Sequence, residues 1–124
     1  MTSVVDASVV LAWIQDEPGA DEAEPLMMEG IIGAANWSEV LQKSRQHGVD
    51  AEPVARLLAS FGLRVVEVMQ GDGEAAAGLW RAGEGLSLAD RLCLALGLRL
   101  GLRVATTDRR WASVPDRPEV ALIR

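Results

Sequence analysis

The chain has 124 residues, of which 49% are hydrophobic and 24% are charged, and it carries a formal net charge of −6. This length suits one folded domain, and the apolar content is far above that of disordered chains. The sequence has no apolar run of the roughly 20 residues that cross a bilayer, no secretory signal pattern, and only one cysteine, so an intramolecular disulfide is excluded. We expect a single cytoplasmic domain over residues 1–124, without membrane association.

Short β-rich segments alternate with helical ones along the chain. In chain order the pattern predicts a strand over 2–5, helices over 7–15 and 20–29, a strand over 31–35, a helix of about 11 residues ending at Gly48, a helix from Asp50 through Phe61, a strand over 63–69, helices over 73–82 and 88–100, and strands over 103–106 and 119–123. This alternation predicts an α/β domain with a mainly parallel β-sheet flanked by helices.

Four acidic residues lie where such a fold places ligand sites, beyond the carboxyl ends of the strands or at the starts of helices. Asp6 comes directly after the first predicted strand, and Asp108 follows a late one. Glu39 and Asp90 each lie near the start of a predicted helix. These positions predict one acidic site at one edge of the sheet.

Helix capping offers a structural explanation for each acid taken singly. Asn36 followed by Glu39, and Ser87 followed by Asp90, both match the capping-box spacing. Asp6 and Asp108 also suit positions where an acid caps a helix or complements its dipole. Capping does not explain the apolar neighbourhood of three of these acids, because an ionised carboxylate among Val, Trp and Leu is costly unless it is paired or bound to a metal.

Several carboxylates in one pocket repel one another, and a hard divalent cation removes that repulsion. Oxygen-only ligation favours Mg²⁺ or Mn²⁺, which activate water and stabilise charge on a phosphoryl oxygen. The sequence lacks a P-loop motif and a D-x-D pair, and one Cys with one His does not support a zinc site. Cys93 lies on the apolar side of its helix, so a Cys93–His47 nucleophile is disfavoured. The residues therefore indicate a metal-dependent nuclease or phosphatase.

Four segments, SVVDASVVLAW, AANWSEVL, LSLADRLCLALG and RVATTDRRWA, resemble the PIN domain, specifically the VapC-like toxin ribonucleases of type II toxin–antitoxin systems. They occur in the order of that family, with separations of 33, 51 and 18 residues between their acids. The resemblance covers essentially the whole chain and implies a PIN-like domain.

The resemblance also assigns roles to individual residues. It implies that Asp6 and Asp90 bind the metal most directly, and that Glu39 and Asp108 complete the catalytic, metal-binding cluster. Two further hydroxyl side chains, Ser8 and Thr106, match positions where the family often orients an acid or a water molecule; a plain turn or strand role stays open for both.

The implied reaction is hydrolysis of RNA phosphodiester bonds by a metal-activated water, with Mg²⁺ or Mn²⁺ as cofactor. The implied partners are the RNA substrate, a cognate antitoxin protein that blocks the cleft, and a second copy of the chain in a homodimer. Two other interpretations stay open at this point: a non-catalytic PIN-like module that binds RNA or protein, and a phosphohydrolase with a small substrate.

Arginines beside the acids offer positive charge despite the acidic balance of the chain. Arg91, Arg109 and Arg110 are candidates for RNA phosphate binding, with solubility or an ion pair to the neighbouring acid as the alternative. We expect Arg99 and Arg103 to be ordinary surface residues.

Overall fold

A computed structural model describes all 124 residues. Its elements in chain order are β1 (Val4–Val5), α1 (Ala7–Ile14), α2 (Ala20–Met27), β2 (Ile31–Gly33), α3 (Ala34–Gln46), α4 (Ala51–Ser60), β3 (Arg64–Val66), α5 (Gln70–Gly78), α6 (Leu88–Leu100), β4 (Val104–Thr106), a 3₁₀ helix (Arg109–Ser113) and β5 (Val120–Leu122). No helix combines the length and apolar character that a membrane span requires.

The five strands form one wholly parallel sheet in the order β3-β2-β1-β4-β5. The central strand β1 pairs with β2 on one side and with β4 on the other, with Val4 aligned to both Ile31 and Val104. Because all strands run in one direction, their carboxyl ends lie at one edge of the sheet. The predicted parallel α/β architecture is confirmed.

Helices cover both faces of the sheet, because successive side chains of a strand point to opposite faces. Val5 and its neighbours on β2 and β4 pack with α1 to α4 in one buried cluster. Val4 and its neighbours pack with α6, the end of α5 and Trp111 in a second buried cluster. The sheet is thus the middle layer of three. Because its central strands are buried on both faces, their sequences are short continuous apolar runs.

Two helices begin earlier than the sequence pattern predicts. Helix α3 begins at Ala34, directly after β2, so Gly33 occupies the N-cap position and Asn36 lies inside the first turn. The predicted Asn36–Glu39 capping box is therefore wrong. Helix α5 begins at Gln70 instead of residue 73, and the Asp72 carboxylate accepts a hydrogen bond from the Met69 amide at its start.

Gly33 allows the immediate passage from β2 to α3. A Cβ at this position would lie 3.3 Å from both Asn36 Oδ1 and Leu96 Cδ2, closer than an ordinary van der Waals contact. The absent side chain thus lets Asn36 and α6 approach the end of β2. This close approach brings three elements together around the carboxyl end of β1.

Candidate active site

Asp6 lies at the centre of the carboxyl edge, between the end of β1 and the first turn of α1, and it is only 5% exposed. It occupies the N-cap position of α1 but makes no side-chain capping hydrogen bond. Instead its carboxylate accepts hydrogen bonds from other side chains: Ser8 Oγ donates to Oδ2 at 2.8 Å and Thr106 Oγ1 donates to the same oxygen at 3.1 Å. The helix cap therefore does not account for this residue.

The two hydroxyls predicted to support the site do contact Asp6, and they also fix the chain after β4. Thr107 N donates to Ser8 Oγ at 3.1 Å, and Asp108 N donates to Thr106 Oγ1 at 3.1 Å. Each hydroxyl thus donates to Asp6 and accepts from a backbone amide. This arrangement ties the segment carrying Asp108 to the segment carrying Asp6, about 100 residues away in the chain.

Asn36 contacts Asp6 but is not among the site residues predicted from the sequence, where it is considered only as a possible helix cap. It is 1% exposed, and its Nδ2 donates to Asp6 Oδ1 at 3.3 Å and to the backbone oxygen of Ala89 at 3.2 Å. Ala89 precedes Asp90, so one amide links Asp6 to the first turn of α6. The available signal was an amide side chain between Ala35 and Trp37, three residues before Glu39.

Asp6, Glu39 and Asp90 form an electrostatic cluster. Burial, with the nearby charges of Asp90 and Glu39, raises the pKa of Asp6 from 3.8 to about 6, against the opposing hydrogen bonds from Ser8 and Thr106. Burial and the charge of Asp90 also raise the pKa of Glu39, while Lys43 opposes this increase. Three acids from β1, α3 and α6 thus share a region in which each disfavours the ionisation of another.

Asp90 has both of the roles considered for it from the sequence. The Ser87–Asp90 capping box is present: Asp90 N donates to Ser87 Oγ at 3.1 Å, and Ser87 N donates to Asp90 Oδ2 at 3.0 Å. One carboxylate oxygen therefore stabilises the helix start, and the charge still acts on Asp6 and Glu39. A capping role and a site role are compatible here.

Asp108 differs from the other three acids because an arginine holds it. Arg110 Nη2 lies 2.6 Å from Asp108 Oδ2, and Arg110 Nε donates to both carboxylate oxygens at 3.0 and 3.1 Å. This pairing lowers the pKa of Asp108. Arg110 Nη1 also donates to the oxygen of Gly85 at 3.0 Å, which joins the 3₁₀ helix to the loop before α6.

The structure thus assembles three acids and leaves the fourth paired at the margin. No three Asp, Glu, His or Cys side chains stand close enough in this conformation to ligate one metal ion together. The donor chemistry of the cluster nevertheless fits a hard cation. Its acids offer only oxygen ligands, and the Asp6 carboxylate contacts only neutral donors.

The other candidate residues occupy different environments. Arg91 turns away from the acids, and its Nη1 donates to the oxygen of Ala76 in α5 at 2.8 Å. Arg109 is exposed. Cys93 is fully buried, and burial raises the pKa of its thiol well above the usual value, which agrees with the exclusion of a Cys93–His47 nucleophile.

Arg99 is not the ordinary surface residue that the sequence suggested. Its Nε and Nη2 donate to the two oxygens of Asp72 at 2.8 and 3.1 Å, and Nη2 also donates to the oxygen of Glu67 at 3.2 Å. Asp72 is 3% exposed whereas the Arg99 side chain is 31% exposed, so a buried carboxylate of α5 pairs with a partly exposed guanidinium of α6. Arg103 likewise donates from Nε to Ser3 Oγ at 2.6 Å. Nothing in the local sequence signalled either contact.

Comparison with known proteins identifies the family and the fold of the chain. The sequence profile of the PIN domain family matches residues 3–117, whereas comparison with curated protein sequences gives no match. Among solved structures, a toxin–antitoxin complex from Klebsiella pneumoniae is similar over 98% of each chain, with a TM-score of 0.76 and 20% identity.

Two further solved structures have the same fold. Mycobacterium tuberculosis VapC20, described as a sarcin–ricin loop cleaving toxin, has a TM-score of 0.73 and 21% identity over 95% of this chain and 100% of that one. DNA-bound VapBC from Salmonella typhimurium has a TM-score of 0.72 and 16% identity over 100% of both chains. At these identities the likeness establishes the fold, and the profile match over most of the chain establishes the family. The chain belongs to the PIN domain family.

Proposed function

We propose that this protein is a divalent-metal-dependent endoribonuclease that acts as the toxin of a type II toxin–antitoxin pair. The observation that carries the proposal is the cluster of Asp6, Glu39 and Asp90, in which burial and mutual repulsion raise the pKa of Asp6 to about 6. A fold gains no stability from three acids placed together without a cation. Such an arrangement is typical of a site built for a ligand that carries positive charge.

Mg²⁺ or Mn²⁺ is the cofactor that this donor set fits, with Asp6, Asp90 and Glu39 as the residues that would hold it. What the bound ion supplies is neutralisation of the carboxylates and polarisation of a phosphodiester oxygen and a water molecule. Asp108 joins the site when Arg110 releases it, for example towards a substrate phosphate. We retain it as a member of the catalytic cluster on that basis.

The uncharged side chains around Asp6 hold its carboxylate in one orientation. Ser8 and Thr106 donate to one oxygen and Asn36 donates to the other. Both oxygens therefore keep their positions before any ligand arrives, which lowers the reorganisation needed for ligand binding and chemistry. Arg109 and Arg110, at the margin of the site, are candidates to meet the phosphates of an RNA strand.

Our proposals for the partner and the substrate class rest on solved structures with the same fold. Similar structures include a toxin–antitoxin complex, and VapC20 is described as cleaving the sarcin–ricin loop. We infer for this chain a cognate antitoxin that covers the acidic cluster, and RNA as the substrate. We also propose a homodimer, for which the exposed side chains of Trp80 and Leu88 offer apolar surface, 58% and 57% exposed.

The test is incubation of the purified protein with total RNA in Mg²⁺, in Mn²⁺ and in EDTA. We expect cleavage with either metal and none in EDTA. Asp6→Asn and Asp90→Asn each remove one carboxylate from the cluster and are expected to lower cleavage by at least about a hundredfold, the order of effect of a lost group that acts on the reacting centre.

Asp21→Asn is the matched control, because Asp21 is an exposed acid on α2 that contributes nothing to the cluster. It should cleave RNA like the wild type. Cleavage that persists in EDTA, or in either cluster variant, would contradict the metal mechanism. If the protein hydrolyses a small phosphodiester with metal but leaves RNA uncleaved, RNA is not its substrate.

A further inference from the structure

A polar cavity of about 220 Å³ opens between α1 and α3, next to the acidic cluster. Its lining includes Ser8 and Thr107, whose hydrogen bond belongs to the site network around Asp6. The lining also carries Lys43, His47 and Arg124. The cavity therefore combines a group of basic side chains with one hydroxyl that donates to Asp6.

Helix α3 aligns this cavity with the acidic cluster. Glu39, Lys43 and His47 follow one another at four-residue intervals, so they lie on one side of the helix, about 6 Å apart along its axis. Glu39 belongs to the acidic cluster, whereas Lys43 and His47 line the cavity. One row of side chains thus passes from the metal-binding acids to positive charge.

The basic groups in the cavity are largely free to bind an anion. Lys43 forms no ion pair within 4.0 Å, and His47 contacts the Lys43 backbone oxygen through Nδ1 at 2.8 Å, which leaves Nε2 unengaged. Arg124 Nη2 lies 3.7 Å from Glu17 Oε1, with both side chains 42% exposed, and Arg124 Nε donates to the backbone oxygen of Pro18 at 3.3 Å. A long, exposed pair of this kind contributes little and is easily exchanged for a better anion.

These residues differ in that respect from two of the arginines closest to the acids. Arg110 is engaged by Asp108 and by Gly85, and Arg91 by Ala76. The net charge of the chain is −6, and its only lysine and only histidine both line this cavity. Lys43, His47 and Arg124 therefore bring three basic side chains together beside the acidic cluster, none of them held by a short ion pair.

We propose that the cavity lined by Lys43, His47 and Arg124 is a phosphate subsite for the RNA strand, one that holds a phosphate flanking the bond cleaved at the acidic cluster. The inference depends on the proposed function, because it assigns the substrate contacts of that same site. RNA is favoured over a protein carboxylate as the ligand because Ser8 both lines the cavity and donates to Asp6, so one bound strand would reach both places. A strand with a phosphate at each nucleotide fills both places with one repeating chemical group.

Binding of a short fluorescein-labelled oligouridylate RNA, measured by anisotropy as a function of salt, tests the subsite. The protein carries Asp90→Asn as background, so that binding is measured without cleavage. Lys43→Gln and Arg124→Gln should each raise Kd by about tenfold, as expected for a lost hydrogen bond to a charged group. Each should also lower the slope of log affinity against log salt by about 0.7, the value for one phosphate contact on a single strand.

Two further variants make the test specific. Arg45→Gln removes the same charge from the same last turn of α3, but Arg45 lines a different cavity, so Kd should change less than about twofold. Glu17→Gln removes the one acid of the subsite and frees Arg124, so it should tighten RNA binding. Thermal unfolding of each variant identifies any that fail to fold.

The outcomes separate the subsite from the nuclease. RNA binding that depends on Lys43 and Arg124, in a protein whose wild type does not cleave, supports the subsite and refutes the proposed function. If the wild type cleaves RNA with metal, but the Lys43→Gln and Arg45→Gln variants bind RNA equally well, the subsite is refuted and the nuclease is not. Unchanged RNA binding together with weakened binding of polyglutamate assigns the cavity to a protein carboxylate, which also overturns it.

Discussion

Replacement of Asp6 by asparagine should stabilise the metal-free protein at neutral pH while it abolishes activity. The folded state raises the pKa of Asp6 from 3.8 to about 6. It therefore binds this proton more tightly than the unfolded chain does, and the free energy of unfolding falls as pH rises between these two values. Each pKa unit corresponds to about 1.4 kcal/mol, so ionised Asp6 costs the fold about 3 kcal/mol above pH 6.

The asparagine removes this cost and introduces a smaller one. Its oxygen can still accept from Ser8 and Thr106, but its amide nitrogen then faces the Asn36 amide, which donates to Asp6 at 3.3 Å. The loss of that long hydrogen bond costs about 1 kcal/mol. We expect Asp6→Asn to be about 2 kcal/mol more stable than the wild type near pH 7.5, and about 0.5 kcal/mol less stable near pH 4, where Asp6 is protonated in the folded state and about half ionised in the unfolded chain.

Urea denaturation in EDTA, followed by tryptophan fluorescence, measures this reversal. Asp21→Asn is the control, and its stability should follow the wild type at both pH values. A difference between wild type and Asp6→Asn that is the same at pH 4 and pH 7.5 would refute the electrostatic reasoning. Added Mg²⁺ should then stabilise the wild type but not Asp6→Asn, because the proposed metal site would lose one of its three carboxylates.

Three other predictions follow from contacts outside and inside the cluster. Arg99→Gln should lower the free energy of unfolding by about 2–3 kcal/mol at neutral pH, because it leaves the Asp72 carboxylate buried without its cation. Burial raises the pKa of Asp72, but the hydrogen bonds from Arg99 outweigh this effect and hold the pKa below 3.8. The loss of stability in Arg99→Gln should therefore become smaller when denaturation is repeated below about pH 4. A loss of the same size at acid pH would contradict the pairing. Gly97→Ala places a methyl group 2.6 Å from a valine side chain of β4 and should destabilise the protein by about 1–3 kcal/mol. Gly73→Ala, in open space on α5, should stabilise it by about 0.5–1 kcal/mol. Equal melting temperatures for the two variants would show that the close contact at Gly97 does not determine stability. Thr106→Val removes the hydroxyl that bridges Asp6 and the Asp108 amide and should lower RNA cleavage by about tenfold, with recovery in Thr106→Ser; equal activity of the Val and Ser variants would exclude this role.

The order of elements and the identity of the acidic residues follow from local sequence. Apolar β-branched runs alternate with helical periodicity, and this local signal is strong enough to predict a parallel sheet flanked by helices. The boundaries of α6 are predicted to the residue, because Ser87 and Gly101 mark its two ends. Asp6 is recognisable because a carboxylate in an apolar stretch needs a compensating group.

Tertiary structure decides what each acid contacts, since those contacts join segments far apart in the chain. Thr106 and Asp6 are 100 residues apart in sequence, and Asn36 reaches Asp6 only because α3 begins directly after β2. The pairing of Asp108 with Arg110 involves neighbours, but sequence spacing cannot choose between that pairing and the shared cluster. Hydrogen bonds and desolvation depend on three-dimensional juxtaposition. The sequence alone therefore predicts four candidate acids, while the packing of α3 and α6 against β1 determines that the charges of three of them act on one another.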